Sequence, residues 1–211
     1  MRRLGNQLTP ARRESGTGNP VDPESVKRLG NDELVIRLLN TISHLSRWLS
    51  PIHDRARLDR AIHRGEPSVK DLVLRLRDEE RRGYPKMYAI ATRNNPDLDK
   101  LPVLEPTAAE LRHDDTATVL ELMAECRRLR QSTGSLLRSL PDVSWHRTGI
   151  SRREQSWTIR ELANHLALHD QLILRELDRT LERVGARQGI ADVSKAGIEE
   201  LQLLSPPVPP R

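Results

Sequence analysis

The segment WTIRELANHLALHD, residues 157–170, holds the residues best spaced for chemistry. His165 and His169 stand four apart. On a helix that spacing puts both imidazoles on one side, on neighbouring turns, where they could chelate a divalent metal. His169 falls within an apolar stripe between Leu166 and Ile173 and is expected to point inward, with His165 one step off it. A buried imidazole is costly without a hydrogen bond, a carboxylate or a metal, so His169 reads either as a satisfied structural histidine or as a ligand. The second candidate is RLRDEE, residues 75–80. Arg75 flanks the Leu72/Leu76 face, and Glu79 lies one turn further along. Such a pair is ordinarily a surface ion pair of little worth. Turned inward, it would join His169 and Asp170 in a site holding a cation, carboxylates and an imidazole.

Other signals are weaker. His44 and His53 read as surface or capping residues. The sole GTG, residues 16–18, has no following strand and makes no phosphate loop. No strand-turn-helix elbow carries a serine nucleophile. Cys126 sits on an apolar helix stripe and reads as an inert core residue. As the single cysteine among 211 residues, it also excludes an internal disulfide framework and a cysteine-based zinc finger.

Positioning these groups falls to helices. Five aromatic side chains, no Phe, and an abundance of Leu, Ala, Arg and Glu argue against a β-sandwich or barrel. Four amphipathic patterns emerge. The first, about 32–49, places Leu34, Val35, Leu38, Leu39, Ile42, Leu45 and Leu49 on one face, capped by Asn31 or Asp32 and closed by Pro51. The second opens at Ser68 with Asp71 as its capping partner and runs past Gly83 and Pro85 to Ile90. The third covers about 116–140, preceded by a turn of helix at 107–112. The fourth opens at Thr158 with Glu161 three residues on, and Gly185 ends it. These read as one antiparallel four-helix bundle, all-α, with a long Pro-containing crossover between the second and third helices. Residues 1–22 read as a disordered arm and 23–184 as the bundle. Residues 185–211 form an extension with a short helix at 194–204 and a proline-rich tail. No internal repeat is apparent.

The net charge of +5 is unevenly spread. Residues 97–115 carry a balance of −4, and residues 127–153 a balance of +6. The arginines at 127, 128, 130 and 138 read as a solvated helix face, with an anion-binding patch as the alternative. Apart from Trp145, that stretch lacks interleaved aromatics for stacking on bases, which argues against nucleic acid. No run of about 18 uncharged apolar residues offers a membrane span, and no apolar leader follows the start. The expectation is a soluble cytoplasmic protein.

Two segments together resemble the DinB-like (DinB/YfiT-like) superfamily of four-helix bundles. Residues 66–102 are similar to that family's second helix and its acidic, Pro-containing crossover. Residues 157–181 are similar to its last helix, and Trp145-His146-Arg147 stands where members often carry Trp-x-Arg. The resemblance implies a bundle that holds zinc or nickel on three histidines, in thiol-dependent S-transferases and maleylpyruvate isomerase-like enzymes. Carried over residue by residue, the ligand positions fall on Arg75, His169 and Ile173, so one of three survives. Arginine stays protonated and repels a cation, and isoleucine has no donor.

Three readings follow. The first is a bundle without the usual metal centre, with no cofactor, serving as a ligand-binding or protein-interaction module. It is accompanied by a homodimer by family analogy, and by Arg75 filling the metal's place, paired with Glu79 or Asp170. The second is a zinc- or nickel-dependent transferase or isomerase using a shifted site of His165, His169 and Glu79. The third is nucleic-acid binding through residues 127–153.

Overall fold

A computed structural model describes residues 23–186 apart from 62, 103–104 and 154. The expected arm at 1–22, the helix at 194–204 and the proline-rich tail lie outside these residues. In chain order the helices are α1 (Pro23–Lys27), α2 (Asn31–Leu49), α3 (Arg55–Asp59), α4 (Val69–Thr92), α5 (Ala108–Thr116), α6 (Val119–Arg138) and α7 (Ile159–Arg183). Two-residue strands β1 (Thr148–Gly149) and β2 (Trp157–Thr158) form a small antiparallel pair before α7.

Local sequence sets where the long helices begin. The Ser68 hydroxyl accepts the Asp71 N–H while Asp71 takes the Ser68 N–H, and Thr158 and Glu161 repeat the exchange on α7. The same device at Thr118 and Glu121 starts α6 at Val119, three residues after the expected start at about 116. On α2 the cap is Gly30, whose N–H donates to Glu33 at 2.7 Å, rather than Asn31 or Asp32. Past the end of α7, Gly185 adopts φ +66°.

Helices α2, α4, α6 and α7 make the bundle, and α2 and α4 each pack on both α6 and α7. Cross-helix partners give the directions. Leu38 and Ser46 of α2 meet Arg130 and Arg127 of α6 in reverse order, so that pair is antiparallel. Glu79 and Arg75 of α4 meet His165 and Glu176 of α7, again antiparallel. By contrast, Asn31 and Thr41 meet Arg160 and Asp170 in the same order, and so do Val73 and Glu80 with Cys126 and Thr133. Two neighbouring pairs are therefore parallel. Because α4 and α6 run the same way, the chain must return the length of the bundle between them. The Pro-containing crossover, with α5 within it, makes that return.

The crossover explains the acidic segment. Helix α5 buries no side chain of its own. It is held by arginines of α4: Arg77 forks onto Asp114, and Arg81 binds Glu110. The acids behind the −4 balance of residues 97–115 are thus partly neutralised in place. The basic stretch changes likewise. Arg127, Arg128 and Arg138 are exposed, but Arg130 is 2 % exposed and belongs to the interior. Arg147 donates to the Ala91 and Arg93 carbonyls at 2.6 Å each, closing the C-terminal end of α4. The β1 strand presses close behind it. A Cβ on Gly149 would stand 2.7 Å from Leu98 and 2.8 Å from Ile90, so only glycine fits there.

The core is aliphatic, in two clusters. One gathers Leu45, Leu72, Leu122 and Leu177, and the other Leu34, Leu38, Met87, Ile90 and Leu166. Leu39 and Ile42 of the expected α2 face are only partly buried, because Thr41, His44 and Trp48 take the interior positions. Among the described residues no helix is long and apolar enough to cross a membrane.

Candidate functional site

Two adjoining polar constellations occupy the middle of the bundle, and each uses one of two consecutive residues on α4 and α7. The inner one comprises Glu80 of α4 and Asp170 of α7, with Arg130 of α6 between them. Arg130 Nε donates to Glu80 at 2.7 Å, and its two Nη atoms reach the two Asp170 oxygens at 2.5 and 3.0 Å. Its Nη1 also donates to the Leu38 carbonyl at 2.8 Å. Thr133 donates to the other Glu80 oxygen, and Thr41 to Asp170 at 2.8 Å. The cluster therefore ties all four long helices. Burial pushes the Glu80 carboxyl up from its ordinary range, against the pull of Arg130 and Thr133. The flanking carboxylates hold the Arg130 guanidinium charged.

The outer constellation is open to solvent. His165 Nε2 and Glu79 Oε1 are 3.0 Å apart, and Arg82 donates to the other Glu79 oxygen at 3.2 Å. The Trp157 ring stands edge-on to His165, centroids 5.5 Å apart. The hydrogen bond to His165 draws the Glu79 carboxyl down to about 2, and Glu79 raises the imidazole in return. Beside them His169 is half-buried, with no hydrogen-bond partner for its Nδ1, and burial lowers its pKa despite Asp170 and Glu79 nearby.

Three expectations need correction. Arg75 does not enter the bundle: its side chain is 52 % exposed, and its ion-pair partner is Glu176 at 3.6 Å rather than Glu79 or Asp170. It sits on the rim because the inward positions of that turn belong to Leu72, Leu76 and Glu80. The internal cation is Arg130, read from sequence as surface. His44 is 2 % exposed beside Trp48, and burial pushes it down to about 4, so it is a core histidine rather than a surface or capping one. The sequence reading singles out neither Glu80 nor Arg77, and it places Arg130 on the wrong side of its helix. The available signal was helical phase, since all three fall in step with their helix's buried leucines. Cys126 lies where expected, its Sγ 3.6 Å from the Val73 carbonyl and its thiol pushed up to about 12 by burial.

The three-histidine metal site that the resemblance implies does not fit these side chains. Of its positions, Arg75 points to Glu176, Ile173 is in the apolar core, and only His169 offers a nitrogen. In the shifted site, Glu79 is already engaged on both oxygens, one by His165 at 3.0 Å and the other by Arg82 at 3.2 Å. Among the described residues no three His, Cys, Asp or Glu groups gather as a metal set.

No protein-family model and no curated protein matches the chain. Solved structures do. YfiT from Bacillus subtilis, described as a probable metal-dependent hydrolase with an unusual four-helix bundle topology, superposes with a TM-score of 0.63 at 19 % identity. That likeness covers 82 % of this chain and 94 % of YfiT. A histidine-to-alanine mutant of a mycothiol-dependent maleylpyruvate isomerase superposes with a TM-score of 0.50 at 14 % identity, covering 80 % of this chain and 68 % of its own. At these identities the likeness speaks for the fold alone. The chain has the four-helix-bundle fold that YfiT also has.

Proposed function

We propose that this chain is a DinB-like bundle working as a binding module for a small molecule or protein partner, without the three-histidine metal centre. The observation that carries the proposal is the cation in the bundle interior. The Arg130 guanidinium grips Glu80 and Asp170 from between them, so these inward carboxylates are already charge-compensated and bridged. A second cation beside them would meet electrostatic repulsion rather than open ligands. The polar groups left to the solvent side are Glu79, His165 and the edge of Trp157, with the His169 Nδ1 unpartnered behind them. Unsatisfied polar atoms beside an aromatic ring suit recognition of a partly polar ligand. A second copy of the chain as partner belongs to the same proposal, and native mass measurement reads it. Nucleic acid does not, because Arg130 and Arg147 of the basic stretch are turned to internal acceptors.

The metal-dependent transferase or isomerase reading keeps one observation in its favour, the unpartnered His169 nitrogen beside Glu79 and His165. Metal analysis separates the two. The binding-module proposal expects substoichiometric zinc and nickel after purification without chelator. It also expects none of the roughly 2.7 kcal/mol stabilisation that a ligand at a hundred times its Kd confers. One tightly held zinc or nickel per chain, lost in His169→Ala, overturns the proposal.

A further inference from the structure

We infer that a small organic anion, a carboxylate or phosphate ester on a compact apolar body, binds in the cavity between α4, the crossover and the turn that follows β1. The inference rests on the binding-module reading and supplies its ligand class.

The cavity has a volume of about 230 Å³, a little below the roughly 300–1,000 Å³ of sites for drug-sized ligands. Its charge is lopsided. Arg81, Arg82, Lys86 and Arg153 line it, against Asp99 as the carboxylate among the described residues. Asp99 is also engaged: Ser151 donates to one of its oxygens at 2.7 Å and the Arg152 N–H to the other at 2.8 Å. Arg81 and Arg82 each commit part of the guanidinium, to Glu110 and to Glu79. Each fork carries five N–H donors, so most of its capacity stays available to an anion.

The rest of the wall is apolar, from Pro85, Leu98, Leu101 and Pro102. A bare inorganic ion would leave that surface unused, whereas an anion carrying a small ring or branched chain would cover it.

The walls are preset. The Leu98 N–H donates to the Ile150 carbonyl and the Ile150 N–H to the Pro96 carbonyl, both at 2.8 Å, locking crossover to turn. Arg147 locks the segment before β1 to the end of α4. A site assembled in advance spares a ligand the entropy of ordering it. The cavity also adjoins the outer constellation, since Arg82 bridges to Glu79 and Lys86 acts electrostatically on His165.

The test is calorimetric titration of the full chain at low ionic strength with benzoate, phenyl phosphate, benzamide and inorganic phosphate. Benzoate or phenyl phosphate should bind at least about tenfold more tightly than both the uncharged amide and the bare phosphate. Which of the two binds more tightly identifies the anionic group. Arg153→Gln and Arg82→Gln should each weaken binding at least about tenfold while circular dichroism stays that of the wild type. Equal binding of benzamide, equal binding of inorganic phosphate, or undiminished binding in both variants overturns the inference. Because metal content is measured separately, a chain free of metal that ignores these anions refutes the inference and leaves the binding-module reading standing. Stoichiometric zinc or nickel refutes that reading whatever the anions do.

Discussion

Glu79 and Glu80 are neighbours in sequence, as are His169 and Asp170, yet each pair is divided between two environments. Glu80 and Asp170 meet Arg130 in the interior, whereas Glu79 meets His165 in the open and His169 keeps an unpartnered nitrogen. One residue turns a helix by about 100°, and that rotation separates a low-dielectric triad from a solvent-screened pair. Charge chemistry of similar composition therefore has different consequences. The inner set ties four helices together, while the outer set stays on the solvent side.

The comparison predicts unequal costs. Arg130→Met should have the largest effect, destabilising the chain by about 3–5 kcal/mol in urea unfolding, because it strands two buried carboxylates. Replacing all three partners, Arg130→Met with Glu80→Leu and Asp170→Leu, should recover much of that loss. A loss below about 1 kcal/mol for the single variant would break the contrast.

His44 tests burial from another side. Its folded pKa is about 4 against an ordinary value near 6.5, so the unfolded chain binds its proton first as pH falls. Wild-type stability should drop across that window by up to about 3 kcal/mol, and His44→Leu should flatten the slope. Parallel acid curves for the two proteins would contradict a protonation penalty at this site.

The outer pair should matter less. Glu79 is depressed to about 2, so its contribution is present above its ordinary value near 4.5 and fades as pH falls towards 2. His165 is raised, so its contribution is full below about pH 6.5 and is lost as pH climbs through the raised value. Between about pH 4.5 and 6.5, His165→Ala should cost a few tenths to about 1 kcal/mol, shrinking by pH 8.5. A cost independent of pH would mean that His165 acts by packing alone. The smallest effect is expected at the rim. Arg75→Ala breaks only the exposed pair with Glu176 and should change stability by less than about 0.5 kcal/mol. A large loss would restore Arg75 as an internal plug.

Much of the architecture was legible in short stretches of sequence. Ser68 with Asp71 and Thr158 with Glu161 announce two helix starts, and the leucine spacing announces their buried faces. Those two helices are more alike than the sequence suggests at first reading. Ser68, Asp71, Leu72, Leu76 and Glu80 match Thr158, Glu161, Leu162, Leu166 and Asp170 step for step. The match is hidden because the intervening positions differ in charge, and it surfaces when both carboxylates arrive at one arginine. In the site, the nearness of Glu79 and His165 was foreseeable only as an option, and Arg130 was lost among exposed arginines on its own helix.

By itself the sequence determined what depends on near neighbours: the starts and caps of α4 and α7, aliphatic stripes, and the four-apart histidines. Those features follow from a period of 3.6 residues and from hydrogen bonds spanning three or four positions. Tertiary structure alone decided which charges go inside, that α4 and α6 run parallel, and that Arg75 faces Glu176. These outcomes turn on helix rotation and on partners 40 or more residues away. Arg130 with Asp170 is one such pair, at 40. Glu80 with Thr133 is another, at 53. Helical phase hints at Glu80 and Arg130 but cannot settle them, because a buried charge is tolerated only where distant groups supply its hydrogen bonds.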